Sequence, residues 1–500
     1  MTRTRRSTIS LGTNFLYTGL TLAFSIFSTP LLLRWLGQER FGTFRALQDW
    51  WGYATIFEYG IGGALMARFA MAAGKSDTDM IRKLIAVGLS FYLRATFAIL
   101  AVSLVWIYAL PWLVTVTNIT PNELRIAALM LAVAGIVMPL TVFRWLAEAQ
   151  QRSYVVNLLL VIQSFSMISL LLIMARFDGG LIGQSIAFTL ATVIMPGYLL
   201  YETLKRYPGV LSEPVDKETS QELWSLNLPT FVFNLSGKIS LSMDNILVAW
   251  SIGAWAVAPF YLTQRLASIS LTQLQGIGNA TWAGLVELHM QGESETFRRR
   301  LLELTNLVSS ISICVLVPIA SFNKVFILLW VGQENFAGDS VSLLCCFNVW
   351  LWAIYSLWGW PVSGTGNIRQ WVNYGVLAMA INIIVSILGV RKFGLIGPLL
   401  GTASGFVLIY SWSLPLVINK LFQVSPTALW KAVSAPLLWG IPYAVLVWMI
   451  SRSYMPQNWL ELFVGTGLIF IIGLGIWWTV GLNREIRSLW SMRLRLALGR

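Results

Sequence analysis

Residues 41–84 read FGTFRALQDWWGYATIFEYGIGGALMARFAMAAGKSDTDMIRKL, an apolar run that carries Glu58 beside three closely set glycines and ends in a short basic loop. A charged side chain at the bilayer centre costs about 3 kcal/mol or more, so we expect this glutamate to face protein or a water-filled cavity rather than lipid. The same segment recurs later in the chain. Together these features predict a membrane transporter.

The composition is typical of a polytopic membrane protein. Of the 500 residues, 56% are hydrophobic and only 11% are charged, and the mean hydropathy is +0.69, which is outside the range of soluble globular domains. A transmembrane helix needs about 20 mainly apolar residues. We therefore predict an all-α polytopic membrane protein with about 14 transmembrane helices, at residues 11–33, 44–66, 84–107, 124–147, 155–175, 181–200, 226–249, 259–285, 302–327, 341–362, 373–391, 396–419, 432–451 and 459–481.

The net charge of +13 indicates membrane orientation rather than nucleic-acid binding. Lysine and arginine are concentrated in alternate connections between the predicted spans, and such an excess marks the cytoplasmic side of a membrane protein. The distribution predicts an even number of spans with both termini cytoplasmic. The first apolar run is long and has no small-residue cleavage site, so we expect an uncleaved first span.

The sequence contains little that predicts bond-making chemistry. The three cysteines, Cys314, Cys345 and Cys346, lie in predicted spans, and the single histidine, His289, lies in a connection. Neither a disulfide framework nor a multi-histidine metal site is therefore expected. The sequence around Gly74 resembles the end of a Walker A loop, but the first glycine and the preceding strand of that motif are missing. We expect no enzymatic activity, no cofactor and no metal.

An internal repeat divides the chain. Leu36-Gly37 matches Ile252-Gly253 at an offset of 216, and Leu181-Ile182-Gly183 matches Leu395-Ile396-Gly397 at an offset of 214, with two further matches between them. An offset of six spans preserves orientation, so we expect parallel repeats about an axis along the membrane normal, with the substrate path between them. The predicted domains are an N-terminal six-helix lobe (1–205), a cytoplasmic linker (206–225), a C-terminal six-helix lobe (226–420), two additional transmembrane helices (421–483) and a basic amphipathic tail (484–500), for which a frayed segment is the alternative.

Polar residues at helical spacing predict which helices face a cavity. Such stripes occur in the first, seventh and eighth spans, and less regularly in the second. The seventh span carries Asn234 and Lys238, and the eighth carries Arg265 and Gln275. These spans are equivalent pairs in the two lobes, so the stripes predict one central cavity. Two alternatives stay open: Ser, Thr and Asn join helices in many membrane proteins, and the cations of these stripes are also suited to ion pairs with Asp244 or Glu58.

The second span contains two acidic residues with different expected roles. At about 100° per residue, Gln48 and Thr55 share a face, with Glu58 about 60° to one side and Asp49 about 180° from Glu58. Glu58 is therefore the better cavity candidate. Asp49 is expected to have an interfacial or packing role.

Two further patterns predict packing rather than a site. Arg144 and Glu148 are four residues apart, which predicts an intrahelical ion pair. Gly397, Gly401 and Gly405 form a repeated small-residue face, which predicts close contact between helices.

The chain resembles the polysaccharide-exporter branch of the multidrug/oligosaccharidyl-lipid/polysaccharide (MOP) flippase superfamily, the O-antigen (Wzx-type) flippases. The resemblance rests on Leu36-Gly37 with Phe41-Gly42, on Phe57-Glu58-Tyr59-Gly60-Ile61-Gly62, and on the basic loop that follows. The carboxylate before the glycine pair is often Asp in that family and is Glu58 here. In the second lobe, Trp330-Val331-Gly332 and Gly394-Leu395-Ile396-Gly397 agree with the pattern. The resemblance implies two six-helix bundles in a V around a cationic central cavity, and alternating access that moves a lipid-pyrophosphate-linked oligosaccharide from the inner to the outer leaflet.

The residue pattern fits this substrate, because lysine or arginine in a wet cavity can replace the hydration of a pyrophosphate. Lys238 and Arg265 are the expected head-group contacts. The full set predicted for substrate binding is Lys238, Arg265, Asn234, Gln264 and Gln275, and the residues predicted for ion coupling or charge balance are Glu58 and Asp244.

Two other functions are compatible with the sequence: a cation-coupled multidrug exporter of the same superfamily, and a non-transporting membrane scaffold of an envelope-assembly complex. A drug exporter would prefer a negatively charged cavity, whereas here Lys238 and Arg265 balance Glu58 and Asp244. The expected location is a prokaryotic plasma (inner) membrane. The expected partners are a lipid-linked oligosaccharide, membrane lipids, a polysaccharide polymerase and a chain-length regulator, with no nucleic acid.

Overall fold

The computed structural model describes residues 3–54, 56–221, 235–239, 243–365, 369–482 and 487, and within the helices it describes no side chains at 3–8, 10, 11, 15, 53, 54, 56–61, 63, 369 and 370. All regular secondary structure in these ranges is helical. Eleven helical stretches in them are long and apolar enough to cross a membrane. The predicted fold class, an all-α polytopic membrane protein, is therefore confirmed. The predicted tail (484–500) lies outside the described residues except for Arg487.

The chain divides into two compact units, of which the first is Met1–Ala258. A short helical segment at 235–239 precedes the last complete helix of this unit. The complete α-helices described in the first unit are α1 (Arg3–Ala54), α2 (Ile56–Gly74), α3 (Thr78–Leu113), α4 (Pro121–Val133), α5 (Thr141–Ala149), α6 (Ser153–Arg176), α7 (Gly180–Thr192), α8 (Ile194–Arg206) and α9 (Asp244–Ser251).

The second unit is Pro259–Arg500. Its first helix, α10, begins five residues before Pro259, in the first unit. The α-helices described from here on are α10 (Ala254–Met290), α11 (Ser294–Val331), α12 (Asp339–Gly364), α13 (Arg369–Phe393), α14 (Ile396–Gly405), α15 (Ser411–Phe422), α16 (Pro426–Ser434), α17 (Leu437–Ser453) and α18 (Trp459–Ile476).

The predicted break between the first two spans (11–33 and 44–66) is a kink inside one helix. Gly37 has φ 76° and ψ 165°, and α1 continues on both sides of it. The polar residues after the kink read as a connection in the sequence, but they are helical, and the side chains of Glu39 and Arg40 have partners nearby. Glu39 accepts hydrogen bonds from Thr117 and from the Asn118 amide nitrogen (3.0 Å), and Arg40 Nε donates to Glu123 Oε1 (3.1 Å).

The turn between α9 and α10 is held against the rest of the first unit by its backbone. Thr115 N donates to Ala249 O (3.2 Å), and Ala254 N donates to Thr115 O (3.0 Å). Gly42 packs so tightly on the Ala254 carbonyl that a Cβ at Gly42 would clash with it. These contacts fix α9 beside the second half of α1. They also explain why the first unit extends beyond the predicted linker (206–225), although the predicted domain limits stay predictions.

The glycines of residues 41–84 are partly explained by packing in the core of the first unit. A Cβ at Gly62 would clash with the indole of Trp145, which donates a hydrogen bond to the hydroxyl of Tyr92 (Nε1 to Oη, 3.1 Å). Tyr92 is fully buried, and Phe69 and Phe143 belong to the same cluster of buried side chains. Gly62 therefore allows α2 and α5 to pack closely. This packing role explains the glycine without any contact to a substrate.

The local geometry supports the internal repeat. Gly37 and Gly253, which the repeat aligns, both have positive φ, 76° and 133°. Gly180 and Gly394 precede the two matching Leu-Ile-Gly sequences, and they too have positive φ, 57° and 60°. The same backbone turn thus introduces α7 in the first unit and α14 in the second.

The two predicted packing patterns are confirmed. Arg144 Nε lies 2.9 Å from Glu148 Oε1, one helical turn away on α5. A Cβ at Gly397 would clash with the backbone at Val390, and a Cβ at Gly401 would clash with Ser386 Oγ. The glycine face of α14 therefore serves the close contact between α13 and α14.

Candidate functional site

One face of α1 carries a polar stripe after the Gly37 kink. Arg45, Gln48, Asp49 and Gly52 are spaced i, i+3, i+4 and i+7, which places them on the same side of a helix. Arg45 Nη1 donates a hydrogen bond to Gln48 Oε1 (2.9 Å), which joins the first two residues of the stripe. The face is partly buried and turns toward the segments that precede and form α9.

Asp49 is joined to the start of α9. Asn245 Nδ2 donates a hydrogen bond to Asp49 Oδ2 at 2.6 Å. Asp244, the first residue of α9, brings a second carboxylate close enough to interact electrostatically with Asp49. Asp244 Oδ1 and Asn245 Oδ1 are buried and accept no hydrogen bond from the described residues. Buried acceptors of this kind are costly unless something pairs with them.

Lys238 reaches the same place from the helical segment 235–239. Its Cε and Nζ atoms lie 3.3 Å from the position that a Cβ would occupy on Gly52. Lys238 and Arg45 both interact electrostatically with the Asp49 carboxylate. We call Arg45, Asp49, Lys238, Asp244 and Asn245 the α1–α9 charge cluster. It brings together two cations and two carboxylates beside α1, whose stretch Gly12–Gly52 is long and apolar enough to cross a membrane.

The hydrogen bond from Asn245 gives Asp49 the packing role that the sequence predicts for it. The sequence predicted an interfacial or packing role for Asp49 and gave Lys238 two prospective partners, Asp244 and Glu58. In the structure Asn245 donates a hydrogen bond to Asp49, and Lys238 lies over Gly52, about one helical turn from Asp49 on the same face of α1. Sequence reasoning missed this relationship because it compared Asp49 only with Glu58. The sequence signal for this relationship is the helical spacing of the polar residues in the α1 stripe, which includes Asp49.

Two predicted site residues fall outside this description. Glu58 lies in α2, but its side chain is outside the described part of the chain. Asn234 lies outside the described residues altogether. The roles assigned to them stay predictions.

The other predicted substrate contacts lie on α10, in the second unit. The guanidinium of Arg265 lies 5.8 Å from the ring centroid of Tyr261, in the range of a cation–π contact. Gln264 Nε2 donates to Phe260 O (3.2 Å), and Gln275 Nε2 donates to Ser356 Oγ of α12 (2.7 Å). Both glutamines therefore also have a packing role, and their substrate contacts stay predictions.

A second charged group lies where the connection between α5 and α6 meets the end of α8, and its residue Arg152 is outside the candidate spans. Arg152 Nη1 lies 2.6 Å from Glu202 Oε1, and Arg206 Nη1 donates to Gln150 Oε1 (2.9 Å). Burial lowers the pKa of Arg152, but hydrogen bonding to Glu202 outweighs it and the pKa is raised. These pairs attach the α5–α6 connection to the end of α8. Because every charge in the group has a partner, we assign it a structural role.

The described residues contain no group of three or more His, Cys, Asp and Glu side chains suited to a metal ion. The α1–α9 charge cluster has two carboxylates and one amide oxygen. What this arrangement can do is hold a cation or a proton beside Asp49, or present Lys238 to an anion.

Comparisons with known proteins identify the type of fold. The model of the family described as polysaccharide biosynthesis protein matches residues 9–283, more than half of the chain. A structure described as lipid II flippase MurJ, in an inward closed conformation, is similar with a TM-score of 0.68 and 14% identity, covering 97% of this chain and 99% of that one. The outward-facing and inward-facing structures of a multidrug resistance MATE family transporter of the MOP superfamily each have a TM-score of 0.56 and 14% identity.

The two MATE matches cover 88% of this chain and 96% and 98% of the matched chains. At this level of identity the similarity establishes the fold alone, which is the fold that these structures share. A comparison with curated protein sequences finds no match.

Proposed function

We propose that this chain, which belongs to the polysaccharide biosynthesis protein family, is a flippase that moves a polyprenyl-pyrophosphate-linked oligosaccharide across the plasma membrane. The substrate would be an O-antigen, exopolysaccharide or capsule repeat unit, passed from the inner to the outer leaflet by alternating access. The fold shared with a lipid II flippase supports this proposal. The residues of the α1–α9 charge cluster support this substrate over others.

One observation carries the proposal: Lys238 lies against Gly52 on the polar face of α1, and the stretch Gly12–Gly52 of that helix is long and apolar enough to cross a membrane. An ammonium group in such a place is costly unless it has an anionic partner. A pyrophosphate is an anion that must cross the low-dielectric region, and it can serve as that partner during transport. Lys238 and Arg265 are the proposed head-group contacts, with Asn234, Gln264 and Gln275 as further donors.

The proposal assigns the carboxylates to charge balance or ion coupling. Asp244 and Asn245 each have a buried oxygen that accepts no hydrogen bond from the described residues, which favours a proton or a monovalent cation at this place in part of the cycle. Asp49 joins Asp244 in this role, and Glu58 is retained as a candidate. This assignment fits a transporter, because it gives the carboxylates a role in transport and none in catalysis.

The proposed location is a prokaryotic inner membrane with both termini in the cytoplasm. The proposed partners are a polysaccharide polymerase, which would use the flipped unit, and a chain-length regulator. The basic residues of alternate connections support the orientation.

The main competing function is export of cationic drugs, which the fold similarity to a multidrug resistance transporter also supports. The α1–α9 charge cluster argues against it, because its two cations offset its two carboxylates. Deletion of the gene in a prokaryotic host that makes the glycan tests the proposal. We expect the lipid-linked repeat unit to accumulate, protected from a glycosidase added outside intact cells. Unchanged glycan export together with increased drug sensitivity would instead indicate drug export.

A further inference from the structure

We infer that a cavity between α10, α11 and α18 of the second unit binds a single-chain alcohol of the membrane, with its hydroxyl group inside the cavity and its alkyl chain directed toward lipid. The cavity has a volume of about 110 Å³, and its lining includes Leu266, Ile319, Phe322, Asn323, Phe463 and Thr466. The site is separate from the α1–α9 charge cluster, and the inference does not rest on the proposed function.

Asn323 brings an unused hydrogen-bond acceptor to this cavity. Its side chain belongs to a residue that is only 1% exposed. Nδ2 donates to Thr263 O (2.7 Å) and to Ser342 Oγ (2.8 Å). A backbone carbonyl only accepts hydrogen bonds, so the bond to Thr263 fixes which end of the amide is the nitrogen. Oδ1 is buried and accepts no hydrogen bond from the described residues. The oxygen is therefore the polar atom that Asn323 can offer to a ligand.

Thr466 also offers an acceptor rather than a donor. Its hydroxyl donates to Leu462 O (2.6 Å), one turn earlier on α18, which uses its only donor. The other lining side chains are apolar. A ligand that complements this cavity must therefore donate a hydrogen bond and be apolar elsewhere. An alcohol meets both requirements, whereas a hydrocarbon has no donor and an ammonium group is costly to bury among apolar side chains.

The position of the cavity indicates that the ligand comes from the bilayer. Asn323 is eight residues before the end of α11 at Val331, and Thr466 is seven residues after the start of α18 at Trp459. At about 1.5 Å per residue, both lie about 10–12 Å inside the helix ends, where the bilayer holds no bulk water to pair with a carbonyl oxygen. Both helices are long and apolar enough to cross a membrane, and Phe463 is 62% exposed. The cavity thus reaches the lipid-facing surface at Phe463.

The size of the cavity favours a chain over a ring. An apolar cavity of about 150 Å³ holds a benzene molecule, and this cavity is smaller, at about 110 Å³. The rings of Phe326 and Trp459 are in edge contact, with centroids 5.7 Å apart, and Trp459 stacks on Phe463 at 5.5 Å. These rings occupy the side nearest the start of α18. An alkyl chain fits hydroxyl first, with the rest of the chain among the lipids.

The first test labels the purified full-length protein, in lipid nanodiscs, with a photoreactive octanol and maps the adducts by mass spectrometry. We expect adducts on Phe463 and the neighbouring lining residues. Unlabelled octanol should suppress them at about a tenfold lower concentration than chlorooctane, which has the same chain but no hydrogen to donate to Asn323. This comparison uses the native protein, so it stays valid if a cavity variant fails to fold.

A filled cavity gives the second test. Thr466→Phe places a ring in the cavity and should reduce the adducts about tenfold. Leu468→Phe is the matched control, because it adds the same ring to α18 at a position that is 56% exposed, and it should be labelled as the native protein is. Equal suppression by octanol and chlorooctane would overturn the assignment of an alcohol. Adducts that a folded Thr466→Phe protein retains in full would overturn the site. Neither result bears on glycan translocation, which is measured separately.

Discussion

Gly42 of α1 and Ala254, the first residue of α10, are in direct contact, and no side chain larger than hydrogen fits between them. The contact holds the turn after α9 in place, and α9 carries Asp244 and Asn245. The position of the α1–α9 charge cluster therefore depends on Gly42, an uncharged residue that lies outside the cluster, seven residues before Asp49.

The first prediction concerns this contact. Gly42→Ala places a Cβ against the Ala254 carbonyl, and an overpacked contact of this kind costs about 1–3 kcal/mol. We expect a lower melting temperature in detergent and reduced glycan transport. Gly19→Ala is the matched control on the same helix, because a Cβ there meets nothing within 4 Å. Equal melting temperatures for the two variants would contradict the role assigned to Gly42.

A second prediction concerns Gly62 and Trp145. Gly62→Ala should destabilise the first unit, because the methyl group would clash with the indole ring. Trp145→Leu should destabilise it too, since the hydrogen bond to Tyr92 is lost. In the double variant the clash is absent, so the two costs should not add. Additive losses in thermal unfolding would show that the two residues act separately.

The third prediction tests the repeat. Gly394 has φ +60° and open space around its Cβ position, so Gly394→Ala introduces backbone strain without a clash. We expect a loss of about 1–2 kcal/mol in the free energy of unfolding. Gly475→Ala is the control, because Gly475 is helical with an ordinary φ and equal space. Helix propensity favours alanine at Gly475. A comparable loss at both positions would contradict the interpretation that the positive φ of Gly394 requires glycine.

The fourth prediction concerns the attachment of the α5–α6 connection to α8. Glu202→Gln leaves Arg152, which is only 19% exposed, without its carboxylate partner. Loss of one partner from a partly buried pair costs about 1–3 kcal/mol. Limited proteolysis at the connection should become faster, whereas Glu218→Gln should leave the rate unchanged. If Glu202→Gln is cleaved at the native rate, the pair does not hold the connection.

The sequence was sufficient for the fold class and for the family. Apolar runs of about 20 residues predict helices because the bilayer demands internal hydrogen bonding. The aligned pairs Gly37 with Gly253 and Gly180 with Gly394 have the matching backbone turns that a repeat requires. These features depend on local residue types, so pattern alone reveals them.

The sequence was less informative about the ends of helices and about contacts between distant residues. Glu39 and Arg40 read as part of a connection in the sequence, but in the structure they are helical and bonded to Thr117, Asn118 and Glu123. Periodicity within one span predicted a packing role for Asp49 but not its partners. Its role depends on Lys238 and Asn245, which are about 190 residues away, and no spacing rule within a helix relates them.

The central claim is that Lys238 and Arg265 carry an anionic lipid head group across the membrane. The most direct test is translocation of a fluorescent polyprenyl-pyrophosphate oligosaccharide in proteoliposomes, scored by protection from an impermeant external quencher under imposed proton and sodium gradients. We predict protein-dependent movement that is lost when Lys238→Ala is combined with Arg265→Ala. Full translocation by that double variant, at native protein levels, would contradict the account.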